Sequence, residues 1–138
     1  NGRRLRADGI WIESKCKPEK WFLGERDDIK SSYFMEEAAS EFDIQGLEID
    51  YAVVGWDADY RYVDGKFEYF KPSGSRWLSI NQEDKRRYLK NAYRVLLTRA
   101  REGFVIFVPR GDASDATRQP KFYDALWQYL TDIGVEEL

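Results

Sequence analysis

The chain has 138 residues, of which 43% are hydrophobic and 16% aromatic, so it is long enough for one domain with an aromatic-rich core. Its 22 basic and 25 acidic residues give a formal net charge of -3, so any nucleic-acid contact must come from a local patch. One cysteine and no histidine exclude an internal disulfide, a histidine-assisted nucleophile and the usual zinc sites.

The first 50 residues contain only weak local patterns. Residues 9–13 and 21–23 are short apolar runs that favour strands, whereas the polar segment 15–20, which includes a proline, favours a loop. Residues 27–50 are acidic, but the spacing of their carboxylates fits no calcium-binding loop. The sequence therefore predicts no metal site.

A polar loop followed by a strand is predicted at the end of the acidic segment. Residues 51–54 form an apolar run ended by a glycine, which is typical of a strand buried on both faces. Ahead of it, Gln45-Gly46-Leu47-Glu48 predicts a compact loop whose glycine serves a positive φ or a close approach of the backbone. Functional groups at a strand end are common in α/β sites, although an ordinary turn gives the same pattern.

Residues 60–69 predict an antiparallel hairpin, because two alternating runs flank an Asp-Gly turn at 64–65. In this register Tyr60 pairs with Tyr69, and the hairpin presents one aromatic face. Exposed rings could stack on unpaired bases, but packing of such a face against the domain is the more frequent arrangement.

The longest predicted helix begins near Asn81 and runs to about Arg101, with Gly103 placed to terminate it. At 100° per residue, Arg99 projects within the apolar arc of this helix. A guanidinium there must reach the rim or meet an anion, unless it only complements the helix dipole from the last turn.

The opposite arc of this helix is basic and polar. Arg87, Lys90, Arg94 and Arg101 lie on neighbouring azimuths of the predicted helix and are candidate contacts to a nucleic-acid backbone. A solvated helix face gives the same pattern, so the sequence leaves both interpretations open.

The remaining segments complete an α/β pattern. Residues 72–75 predict a loop, residues 104–108 a continuous apolar strand, and residues 121–133 an amphipathic helix. Residues 1–138 are therefore expected to form a single α/β domain. We expect a mainly parallel sheet flanked by helices, with an inserted antiparallel hairpin at residues 60–69.

Two segments resemble known helicase motifs. Residues 41–50, which contain Gln-Gly-Leu-Glu and lead into a strand, resemble motif V of superfamily 1 helicases. Residues 91–101, which contain Val-Leu-Leu-Thr-Arg-Ala-Arg and precede a strand, resemble motif VI. Together, over residues 36–110, the chain is similar to P-loop ATPases related to the Schlafen group DNA/RNA helicases. The resemblance implies the second RecA-like lobe of a longer ATP-dependent motor.

The resemblance also implies roles for five residues. Arg99 matches the arginine finger, which stabilises charge on the transferring phosphoryl group, and Thr98 is expected to support it. Gln45, Gly46 and Glu48 match the motif V positions that face the nucleotide. ATP and Mg²⁺ are implied between this lobe and a first RecA-like lobe of the full-length chain. Neither is expected to be bound to this fragment, which lacks a phosphate-binding loop and should not hydrolyse ATP alone.

The sequence departs from motif V in one respect. Phe42 and Asp43 stand where many relatives have Thr or His, and Asp43 would repel a phosphate. Two alternatives therefore remain: a non-catalytic RecA-like module that binds nucleic acid or protein, and an α/β interaction domain without motor function. No apolar run approaches the roughly 20 residues of a membrane helix, so we expect a cytoplasmic protein. The resemblance to helicases implies DNA or RNA as its partner.

Overall fold

The computed structural model describes residues 4–12 and 16–138. Short 3₁₀ helices lie at Leu5–Asp8 and Pro120–Phe122. The other elements are, in chain order, α1 (Pro18–Leu23), β1 (Ile49–Gly55), β2 (Tyr60–Val63), β3 (Lys66–Ser73), β4 (Arg76–Ser79), α2 (Glu83–Leu97), β5 (Ala100–Phe107) and α3 (Asp124–Asp132). The α/β class that the sequence predicts is therefore confirmed.

Strands β1 and β5 form the parallel sheet, with a register that runs from Ile49 opposite Ala100 to Gly55 opposite Phe107. Both strands were expected from their apolar runs, but the prediction that β1 is buried on both faces is wrong. Val53 is 55% exposed, whereas Val54, which points to the other face, is 4% exposed. Within the described residues this sheet has two strands, and part of one face meets solvent.

Strands β2 and β3 form the predicted hairpin in the predicted register, with Tyr60 opposite Tyr69. The backbone φ angles of +49° at Asp64 and +81° at Gly65 fit the tight turn of such a hairpin. The aromatic face packs inward, as the more frequent arrangement predicts: Tyr60 is 7% exposed and joins the hydrophobic core. This core also contains Trp56, Tyr93 and Leu126.

The predicted loop at residues 72–75 is instead the tip of a second hairpin, in which β3 pairs with β4. Pro72, opposite Trp77, is tolerated inside β3 because of its position in the sheet. The amide of Phe70 donates to the carbonyl oxygen of Asp59 at 2.7 Å, on the β2 side of the strand. Backbone nitrogens two residues apart in a strand point to the same side, so the nitrogen of Pro72 also faces the β2 side. Strand β2 begins opposite Tyr69, and the missing proline N–H therefore removes no bond to β2.

The N-terminal region differs from its predicted structure. Residues 21–23 end helix α1 rather than forming a strand, and Pro18 occupies the first turn of that helix, where a missing N–H costs nothing. The predicted loop at 15–20 is therefore helical from Pro18 onward. In place of the predicted strand at 9–13, Ile12 forms an isolated parallel bridge with Ala38. Residues 13–15 lie outside the described residues.

Helix α2 is shorter than predicted, because it ends at Leu97 rather than near Arg101. The hydroxyl of Thr98 donates to the carbonyl oxygen of Arg94 at 2.8 Å, and the chain then enters β5 at Ala100. Gly103 lies within β5 and terminates no helix. Arg99 and Arg101 therefore lie outside the helix, and their predicted helical azimuths are wrong.

A polar network is buried beside the aromatic core. The hydroxyl of Tyr93 donates to the Asp59 carboxylate at 2.7 Å and accepts from the amide of Asp57 at 3.1 Å. Asp57, Asp59 and Tyr93 are each less than 10% exposed. These bonds tie α2 to the segment between β1 and β2, and so they fix the helix against the sheet.

Candidate nucleotide and nucleic-acid site

The segment that resembles motif V forms a compact turn ahead of β1. One carboxylate oxygen of Asp43 accepts hydrogen bonds from the amide and the hydroxyl of Ser40, at 2.9 and 2.6 Å. Ile44 is 5% exposed and anchors the turn in the domain. The acid at position 43, which departs from the motif, is thus part of the internal structure of the turn.

The Gln-Gly-Leu-Glu loop presents its polar groups to solvent. Gly46 has a φ of +86°, and a Cβ added there would meet no atom within 4 Å. Of the two reasons expected for this glycine, the structure therefore supports the positive φ rather than a close approach. Gln45 and Glu48 are both exposed, and the loop leads directly into β1.

The segment that resembles motif VI meets this loop at the beginning of the parallel strands. The amide of Ile49 donates to the carbonyl oxygen of Arg99 at 3.0 Å, and Ile49 lies opposite Ala100 in the sheet. Both loops precede parallel strands, so they emerge at the same edge. The structure thus brings Glu48 and Arg99, which are distant in sequence, to the same edge of the fold.

Arg99 is half-buried in the short connection between α2 and β5. One of its terminal nitrogens donates to the hydroxyl of Thr98 at 3.3 Å. Its Nε is buried and has no hydrogen-bond partner among the described residues. A buried donor without an acceptor is costly, whereas the exposed terminal nitrogen is the part of the guanidinium that an anion at this edge could reach.

The four basic residues predicted for nucleic acid do not share one helix face. Arg87, Lys90 and Arg94 are exposed on α2, as predicted. Arg101 is also exposed, but it lies on β5 beside an irregularity in which three residue steps of β5 oppose two of β1. A bulge of this kind redirects side chains, so Arg101 is not part of the helical basic face.

Sequence reasoning did not identify an aromatic pair next to the basic face. Tyr88, which periodicity assigned to the apolar arc of α2, is 53% exposed. Its ring lies 6.1 Å from that of Phe42, which is 64% exposed and belongs to the motif V-like turn. The signal available in the sequence was the large ring of Phe42 at a position where many relatives have Thr or His.

The described part of the chain has neither a cluster of metal-ligand side chains nor a membrane-spanning helix. Residues 4–12 and 16–138 contain no cluster of three or more His, Cys, Asp or Glu side chains arranged for a metal ion. In the same residues, every helix is too short or too polar to cross a bilayer.

Comparison with known proteins identifies one family. The family model for the Schlafen group 3 DNA/RNA helicase domain matches residues 5–110, which is more than half of the chain. This range includes both loops and all five strands. Neither a curated protein nor a solved structure matches the chain significantly. The chain therefore belongs to the Schlafen group 3 DNA/RNA helicase domain family.

Proposed function

We propose that this domain is the second motor lobe of an ATP-dependent helicase-like NTPase, completed by a first RecA-like lobe in the full-length protein. The observation that carries the proposal is the hydrogen bond from the Ile49 amide to the Arg99 carbonyl oxygen. It joins the two motif-like loops at one edge of the sheet. A nucleotide held by the first lobe against this edge would meet residues from both loops.

Arg99 is the residue to which we assign the arginine finger. Its guanidinium is half-buried, and its exposed terminal nitrogen can donate to a phosphate oxygen. ATP bound between the lobes would supply the phosphoryl group that is transferred. The planar guanidinium would stabilise the charge that develops on that group, an effect of about 10³ to 10⁵ in rate for arginine fingers.

Thr98 is assigned a positioning role next to Arg99. Its hydroxyl accepts from Arg99 at 3.3 Å and donates to the last turn of α2 through the Arg94 carbonyl oxygen at 2.8 Å. A hydroxyl that both accepts and donates a hydrogen bond is better ordered than one that is free in solvent. Thr98 would thus hold the guanidinium in place before the nucleotide arrives.

Gln45, Gly46 and Glu48 are assigned to nucleotide contact and coupling. The positive φ of Gly46 holds the loop in a turn, and the amide and carboxylate on either side of it are exposed. Such groups would orient the polar edges of a nucleotide. We assign the phosphate-binding loop and the Mg²⁺ ligands to the first lobe.

The nucleotide loop can be tested by steady-state ATPase kinetics of the full-length protein. Glu48→Ala should raise the KM for ATP several-fold, because the carboxylate contacts the ground-state nucleotide in this proposal. Glu83→Ala, at the exposed start of α2 and away from the loop, is the matched control. Equal KM values for wild type and Glu48→Ala would remove this residue from the site.

A further inference from the structure

A long groove runs beside β1, the first strand of the parallel sheet. Its volume is about 1150 Å³, and all seven residues of β1 line it. The other walls are formed by residues 9–12 and 35–41 and by Leu89 and Leu96 of α2. Pockets that enclose one small molecule have roughly 300–1,000 Å³, so this groove has room for a segment of polypeptide.

One side of β1 has no strand partner. Among the described residues β1 pairs with β5 alone, so the backbone groups that point away from β5 meet no other strand. Such an edge accepts a further strand through its N–H and C=O groups. Side chains of β1 are also exposed in the groove, because Tyr51 is 70% and Val53 is 55% exposed. An added strand would complete the hydrogen bonds of the edge and cover these side chains.

The groove is acidic. Five carboxylates that are exposed or half-buried line it, together with one basic side chain, that of Arg101. These acids are Glu36, Glu37, Glu41, Glu48 and Asp50. Within the described residues none of the five forms an ion pair, since the ion pairs there use Asp8, Glu68 and Asp84. Their charges are therefore available to a cationic occupant.

Two arginines lie at the rim of the groove. The guanidinium of Arg6 lies 5.0 Å from the centre of the Trp11 ring, and that of Arg26 lies 5.2 Å from the centre of the Tyr33 ring. Both rings line the groove, and each residue is more than half exposed. The exposed area of these rings offers a further cation the same kind of contact.

Further acids keep the charge of the groove negative despite these arginines. Asp43 lies in the turn next to the wall, where it accepts two hydrogen bonds from Ser40. Glu102, on the neighbouring strand, raises the pKa of the Tyr51 hydroxyl through a hydrogen bond. The lining also includes two buried acids, Asp57 and Asp59. A basic occupant is therefore favoured, whereas the phosphates of a nucleic acid are repelled.

We propose that the groove binds an extended basic segment of a partner protein, which adds as a strand to the free edge of β1. Main-chain hydrogen bonds to the edge provide affinity, and side-chain contacts in the groove select the sequence. Lys and Arg of the segment pair with the carboxylates, while its apolar side chains cover Tyr51 and Val53. Of the residues assigned to the nucleotide, Glu48 alone lines the groove, so the two sites are otherwise separate.

The first experiment is fluorescence anisotropy of the full-length protein with a labelled peptide of alternating Lys and Val, seven residues long like β1. This peptide should bind, and added salt should weaken the binding because charge pairs are screened. A peptide with Glu in place of Lys should not bind measurably. A peptide with Ser in place of Val should bind about tenfold more weakly, since it buries fewer apolar groups. Equal binding of the three peptides would contradict the proposal.

A variant of β1 localises the binding. Val53→Lys places a cation on an exposed side chain of the groove and should weaken binding of the Lys-Val peptide about tenfold. Leu78→Lys is the matched control, because it changes a partly exposed apolar side chain of β4 outside the groove. Unchanged binding by Val53→Lys would remove the peptide from this groove.

A pair of charge variants keeps the test decisive if Val53→Lys does not fold. Glu36→Gln with Asp50→Asn should reduce the salt dependence of peptide binding, because fewer charge pairs are screened. Glu136→Gln with Glu137→Gln, at two exposed positions outside the groove, is the control and should leave the salt dependence unchanged. Equal salt dependence in both double variants would show that the acids of the groove do not contact the peptide.

Addition as a strand is tested by N-methylation of the peptide backbone. One peptide is methylated at its odd residues and another at its even residues, so each loses the N–H groups of one edge. One of the two should bind about tenfold more weakly and the other should bind like the parent peptide. The proposal is wrong if both bind like the parent, or if the full-length protein binds no Lys-Val peptide because another segment of its own chain fills the groove. It is also wrong if Val53→Lys breaks a dimer of this chain while peptide binding persists.

Discussion

Arg99 donates a hydrogen bond to the hydroxyl of Thr98 across 3.3 Å, and that hydroxyl donates to the carbonyl oxygen of Arg94 across 2.8 Å. The guanidinium is thereby connected to the last turn of α2 rather than to a flexible loop alone. The opposite side of the same connection is fixed by the Ile49 amide, which donates to the Arg99 carbonyl oxygen. Arg99 is thus held through both its side chain and its backbone.

The first prediction concerns this support. Thr98→Val in the full-length protein should lower kcat for ATP hydrolysis by roughly 10-fold to 100-fold, because a displaced catalytic group loses much of its effect. Thr98→Ser keeps the hydroxyl and should restore most of the rate. An unchanged kcat in Thr98→Val, with a normal circular dichroism spectrum, would show that the hydroxyl does not position Arg99.

The second prediction concerns the buried hydroxyl of Tyr93. Tyr93→Phe removes one bond to the Asp59 carboxylate and one from the Asp57 amide, at 2.7 and 3.1 Å. The free energy of unfolding should fall by about 1–3 kcal/mol, since a buried polar group loses its partner. Urea denaturation measures this change, and the exposed Tyr33→Phe is the control, expected within about 0.5 kcal/mol of wild type.

The third prediction is a pH dependence of stability. Burial, together with the nearby Asp59 carboxylate, raises the pKa of Asp57 above its usual value of 3.8. The folded state therefore binds this proton more tightly than the unfolded state, and the contribution of Asp57 to stability falls as pH rises from 3.8 through the raised pKa. Below 3.8 that contribution is fully present.

Asp57→Asn removes this titration and provides the test. The free energy of unfolding of wild type minus that of Asp57→Asn should decrease with rising pH across this window. Urea titrations at a series of pH values measure the difference. A difference that is constant or that increases with pH would contradict the assignment of a raised pKa to Asp57.

The parts of the fold that were predictable depend on patterns among residues close together in the sequence. The hairpin register follows from an alternating pattern around Asp64-Gly65, and both residues adopt the positive φ that such a turn requires. The second hairpin was missed because Pro72 argues against a strand in general. Only the position of Pro72 past the start of β2 makes it acceptable, and the sequence does not contain that information.

The end of α2 was not predictable for a related reason. Residues 98–101 continue a helix-compatible sequence, and neither a glycine nor a proline interrupts them. The chain leaves the helix where β1 supplies hydrogen bonds, as the bond between Ile49 and Arg99 shows. The sequence singled out Arg99 by its azimuth on a helix, but Arg99 lies outside the helix. Its role as the arginine finger, which rests on the motif, remains a prediction.

The exposure of the Tyr88 ring could not be predicted from the periodicity of α2 either. Tyr88 falls on the apolar arc of α2, which predicts burial, yet half of its side chain is exposed. Nearby Leu89 packs against the core cluster, so the arc marks the buried face correctly except at its margin. The exposure of a residue at such a margin depends on what packs beside the helix, and beside Tyr88 this neighbour is Phe42 from a distant turn.

The most direct test of the motor-lobe assignment is the steady-state ATPase rate of the full-length protein with Arg99→Ala, Arg99→Lys and Arg76→Ala. Arg99→Ala should reduce kcat by about 10³-fold or more, while ground-state binding of ATP changes much less. Arg99→Lys should recover little, because a point charge does not replace a planar fork. Arg76→Ala, at an exposed position on β4, should hydrolyse ATP like wild type. If Arg99→Ala retains wild-type kcat, the assignment of the arginine finger, and with it the motor-lobe account, is wrong.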